Sequence, residues 1–101
     1  MDEEADDFSG VDVAVLLCAD RPRRKTQLMQ HICEVYDGII EHGPDLYGEY
    51  SDDANESMMC LQMWGYLDCQ WRITDNGQKV LEMIRQTTDD PDQIMVLERA
   101  P

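Results

Sequence analysis

The chain has 101 residues, a formal net charge of −14 and 43 % hydrophobic residues. That length suffices for one modest core, and the apolar fraction argues against a disordered polyelectrolyte. No apolar run approaches the roughly 20 residues that cross a bilayer, and the start, MDEEADDFSG, is acidic where a secretory leader is basic, so a cytoplasmic protein without membrane association is expected.

Residues 1–8 read as an acidic flexible tail. Ser9 then suits the N-cap of a short helix, GVDVAVLLCAD, so apolar that it is expected at the centre of the fold. Pro22 ends it and disfavours the α conformation at Arg21. A second helix is expected over residues 24–40, where Leu28, Ile32, Val35 and Ile39 recur at steps of three and four. Gly43-Pro44 stops it, and LYGEY reads as an extended connection.

Ser51 is the expected N-cap of a third helix, residues 51–65, with Asp52 and Asp53 at the positive end of its dipole. Ala54, Met58, Leu61 and Gly65 form its inner stripe, and Gly65 suits a left-handed C-terminal position. Tyr66-Leu67 and Trp71-Arg72-Ile73, joined by a tight turn at Asp68, Cys69 and Gln70, read as a very short hairpin. Thr74 caps a last helix with Val80, Leu81 and Ile84 inside. QIMVLER fits either a strand or a helical turn.

The order of these elements is that of a winged helix-turn-helix domain, mainly α with one short two-stranded hairpin. YGEYSDDANESMMCLQMWGYL resembles the tyrosine-glycine-x-tyrosine-serine stretch, helix and glycine turn of small archaeal and phage-associated winged helix proteins. RITDNGQKVLEMI looks like the leucine-threonine-x-x-glycine passage from wing to last helix in that group, and RRKTQLMQHICEV resembles its second helix. The resemblance covers roughly residues 11–86 and sets a domain at 9–88. Residues 89–101 are then a C-terminal tail whose Ile94, Met95, Val96 and Leu97 offer a candidate homodimer contact. Two departures stand out: Glu49 replaces a common proline, and there is almost no wing.

The resemblance implies a transcriptional regulator that binds double-stranded DNA through the helix at 51–65. Half of the eight basic residues, Arg21, Arg23, Arg24 and Lys25, crowd into RPRRK, where they would meet phosphates with Arg72 as a further contact. Asn55, Gln62 and Met59 would face bases, but Asp52, Asp53 and Glu56 on the same helix repel the DNA backbone. The competing reading is therefore an acidic protein-interaction module, or a DNA-mimicking inhibitor of a basic partner. Asp outnumbers Glu by 14 to 8 and Lys occurs twice, a halophilic composition; in molar salt the Debye length is only about 3 Å, which screens such repulsion. A mesophilic acidic protein, for example a viral one, is the alternative.

No nucleophile elbow, phosphate-binding glycine loop or metal-ligand spacing is present, so no enzymatic activity, cofactor or metal is expected. Cys18, Cys33 and Cys60 read as buried small hydrophobes, and Cys69 as an exposed thiol in the turn. Met58, Met59, Met63 and Trp64 read as core, with a soft protein-binding surface as the lesser option.

Overall fold

The computed structural model describes residues 7–36 and 52–99, in which the chain forms five α-helices: α1 (Gly10–Cys18), α2 (Lys25–Val35), α3 (Asp52–Met63), α4 (Asp75–Thr87) and α5 (Pro91–Arg99). The expected helix at 24–40 is seen from Lys25 to Val35, with Tyr36 at its C-cap. Its continuation through Ile39 and Ile40, the Gly43-Pro44 stop, the LYGEY connection and the Ser51 cap lie outside the described residues.

α1 is the central element. Ser9 and Asp12 close a capping box, Ser9 Oγ accepting from Asp12 N at 3.1 Å and Asp12 Oδ2 from Ser9 N at 3.0 Å. Val13, Ala14, Val15, Leu16 and Cys18 are all buried, on every side of the helix, because α2, α3, α4 and α5 each pack against it. Leu28 and Ile32 of α2, Ala54, Met58 and Leu61 of α3, and Val80, Leu81 and Ile84 of α4 complete the core around it. Phe8, which the sequence placed in the tail, is buried and meets the Tyr66 ring edge-on at 5.8 Å.

The expected hairpin is not formed, and with it the winged helix-turn-helix assignment fails: the described residues contain no strand. One antiparallel bridge pair, Leu67 and Ile73, is all that pairs among them. The cause lies in what flanks that pair. On one side α3 ends in a Schellman turn, with Gly65 at φ +86°, Gly65 N bonded to Gln62 O and Tyr66 N to Leu61 O. On the other, Ile73 N donates to Ala19 O, and Thr74 is already the N-cap of α4, its Oγ1 accepting from Gly77 N. A ladder has no residue left to extend into.

Between the bridge partners, Asp68 organises a closed turn. Its Oδ1 accepts from Gln70 N and Arg72 N, its own N–H donates to Arg72 O, and its carbonyl accepts from Trp71 N. Trp71 takes φ +62°, a left-handed position uncommon for a large side chain.

QIMVLER proves to be helical. Pro91 opens α5 as a first-turn residue, and Asp90 accepts from Asp92 N through Oδ1. Val96 is fully buried against the core, Leu97 packs beside it, and Gly10 lies close enough that an added Cβ would stand 3.2 Å from Asp92 Cβ. The apolar segment offered as a dimer contact is thus largely folded onto α1, leaving Met95 as its exposed large hydrophobic residue. Gln93 is buried with both ends of its amide engaged, Nε2 by Phe8 O and Oε1 by Thr88 Oγ1. Among the described residues no helix is long and apolar enough to cross a membrane.

Candidate nucleic-acid interface

The RPRRK segment leaves α1 and enters α2, and its four cations have separate fates. Arg23 is spent on the fold. Its Nη1 donates to Cys18 O at 2.6 Å and to Asp20 Oδ1 at 2.9 Å, and its side chain is only 14 % exposed. A cation at this place satisfies an orphan carbonyl at the negative end of α1. Burial would raise the Asp20 carboxyl, but the hydrogen bond and charge of Arg23, joined by Arg21, outweigh it and hold Asp20 below the usual range. Arg21 is exposed, 3.6 Å from the Asp20 carboxylate.

Arg24 and Lys25 stand at the start of α2. Arg24 is exposed, and its N–H donates to Gln27 Oε1 at 3.2 Å. Lys25 is half-buried: Nζ is 5.8 Å from the Trp71 ring centroid and 3.6 Å from Met59 Sδ. It therefore joins α2, α3 and the 68–72 turn at one point. The backbone adds a second link, Arg23 N donating to Gln70 O at 3.1 Å. Pro22, Arg23, Arg24, Lys25, Gln27, Cys69, Gln70 and Trp71 line an open shelf of about 590 Å³ at the start of α2.

The remaining expected contacts divide. Met59 is 46 % exposed and borders the shelf through Lys25. Asn55, one turn before it on α3, is half-buried. Gln62 is half-buried too, with Nε2 donated to Asp68 O at 3.0 Å, so its amide braces the turn instead of facing outward. Arg72 is exposed but lines a different hollow, with Asp20, Glu82 and Arg85 beside α4. The structure brings Arg23, Arg24 and Lys25 to one surface with Met59 at its border, although the Arg23 guanidinium is turned to Cys18 O and Asp20; it does not bring Gln62 or Arg72 there.

Sequence reasoning missed Trp71 and Gln70. Trp71 reads as a strand residue of the hairpin, and nothing local announces its left-handed backbone. The signal available was the pairing of a large aromatic with a basic cluster in a short chain. Sequence reasoning also puts Met59, Met63 and Trp64 in the core beside Met58. Met58 is fully buried, but the other three are 46 %, 79 % and 53 % exposed. On a 3.6-residue repeat Glu56, Met59 and Met63 fall opposite the Ala54–Met58–Leu61 stripe, so their exposure follows from the stripe itself.

The class that these features define is a helical domain, five-helixed over the described residues, with a small basic, aromatic-backed shelf on an otherwise acidic chain. Compared with protein-family models, curated proteins and solved structures, the chain finds no match in any of the three.

Proposed function

We propose that the protein is a regulator that binds double-stranded DNA, held by its phosphates on the shelf and approached at its bases by the outer side of α3. One observation carries this reading: the exposed Arg24, Lys25, the start of α2 and a tryptophan converge on one open surface, from segments far apart in sequence. Cations and helix amides are the groups that hold phosphate, and an aromatic backing Lys25 limits its freedom before the ligand arrives. On α3, Met59 touches Lys25 and Asn55 lies one turn before it, Met59 offering apolar contact and Asn55 an amide. Arg23 lines the same shelf, but its guanidinium is bound to Cys18 O and Asp20, so in this reading it holds the segment in place and is not a phosphate contact.

A formal charge of −14 opposes approach to DNA, and the reading therefore belongs to a salt-rich setting in which that repulsion is screened. It places the protein in the cytoplasm, where a regulator meets its DNA, and assigns it no catalytic step and no cofactor. The test is selection of bound duplexes from a random pool in molar potassium chloride. Enrichment of one sequence supports the proposal; a pool that stays random through successive rounds rejects a sequence-reading role.

A further inference from the structure

The other flank of α3 carries a second surface, of opposite character. Glu56, Cys60 and Trp64 succeed one another by single turns and face the start of α1, where Val11 and Asp12 close a notch of about 350 Å³. The notch is built, not incidental. Ser57, buried in α3, donates Oγ to Asp12 Oδ1, and the same carboxylate closes the α1 capping box, which fixes the two helices against each other here. Trp64 lines the notch and is 53 % exposed, so the C-terminal end of the notch has an apolar lip. Its N-terminal end is acidic, and among the described residues neither Asp12 nor Glu56 has a cationic partner within ion-pair distance.

Charge decides what fits. Nucleic acid is repelled by the Asp12–Glu56 end. A second copy of a chain with net charge −14 is repelled as well. Among the described residues no group of three His, Cys, Asp or Glu side chains is placed to hold a metal ion. Glu56 on α3 and Trp64, just past its end, are eight residues apart, about 12 Å along the helix axis at 1.5 Å per residue. An occupant must therefore present positive charge at one point and an apolar side chain two turns further on.

We infer that this notch is a docking surface for a basic amphipathic helix of a partner protein. An arginine of the partner sits between Asp12 and Glu56, and a leucine or similar side chain lies against Trp64. This is the helix-in-groove mode, with the anchors at i and about i+7. The acidic surround raises the rate at which such a partner arrives, and the effect weakens as salt is added. The inference stands apart from the DNA reading, because its residues and its ligand are different.

The probe is a synthetic alanine-based helical peptide with two arginines at one end of a face and two leucines two turns away. Calorimetry at low salt, with nitrogen–proton correlation spectra that follow the Trp64 indole, gives affinity and location. Saturable binding with a shift of the Trp64 indole is expected, and Glu56→Lys and Trp64→Ala are each expected to weaken it about tenfold. Both side chains are exposed, so these variants keep the fold. No saturable binding to the native chain, equal binding of the same peptide with glutamate in place of arginine, or unchanged affinity in both variants would overturn the inference.

Discussion

Tyr36 is wholly buried, and among the described residues its hydroxyl has no hydrogen-bond partner. An unsatisfied buried hydroxyl costs about 1–3 kcal/mol, so Tyr36→Phe is expected to stabilise the protein by about 1 kcal/mol, a rise in Tm of about 4–8 °C. A lower Tm in a calorimetric scan would show that the hydroxyl is satisfied. Gly77 presents the opposite case. A Cβ there would press on the Tyr66 carbonyl oxygen and stand 2.7 Å from Ile73 Cγ1, so α4 could not keep its place against the turn. Alanine gains about 1 kcal/mol in helix propensity, but overpacking against backbone costs about 1–3 kcal/mol or more, and the clash is expected to win. Gly77→Ala should therefore lower the midpoint of urea unfolding; an unchanged or higher midpoint contradicts the packing. Four basic residues in RPRRK look equivalent on paper. Their division, with Arg23 inward and Arg24 and Lys25 outward, depends on where the last carbonyls of α1 point, which composition and spacing do not carry.

At the scale of elements, the helices were legible because their signals are local. Ser9 and Thr74 are caps, and the stripes of α2, α3 and α4 repeat at helical spacing. The turn after α3 misleads because alternation over Tyr66 to Ile73 resembles a hairpin, whereas the outcome depends on competition for backbone groups. Asp68 takes the N–H groups of residues 70 and 72, and Ala19 takes that of Ile73. QIMVLER is ambiguous for a related reason: its apolar positions are too few to show a period, and its helix is decided by packing on α1. The candidate shelf was half legible, since its cations are contiguous but Trp71 reaches it only through this turn. Asp68→Ala is expected to remove two hydrogen bonds, cost about 1–3 kcal/mol and release Trp71 from Lys25. Weaker DNA binding together with a changed Trp71 indole resonance would be the signature; loss of stability with unchanged binding would separate the turn from the site.

At the scale of the whole molecule, charge and burial set the conditions under which the fold holds. With a net charge of −14, self-repulsion opposes the compact state, and salt screens it. Tm is expected to rise steadily from dilute buffer to molar potassium chloride; a flat profile would show that the acidic surface needs no screening. Alkali acts through the core. Burial pushes the Cys18 thiol from 9.0 up to about 12 and the Tyr36 hydroxyl from 10.0 up to about 12. Both folded values lie above the unfolded ones, so the neutral forms favour the fold. That stability is fully present below about pH 9 and is lost as pH rises towards 12. Tyr36→Phe should make the loss shallower.

The central claim, that duplex DNA is held on the Arg24–Lys25–Trp71 shelf, is tested most directly by fluorescence anisotropy of a labelled duplex across potassium chloride concentrations. The comparison is between the native chain and Arg24→Ala/Lys25→Ala. Every phosphate that a variant ceases to neutralise changes the slope of log K against log salt by about 0.9, so the double variant should differ by about two and bind every sequence more weakly. Identical slopes and affinities, or no binding by the native chain at any salt, would contradict it.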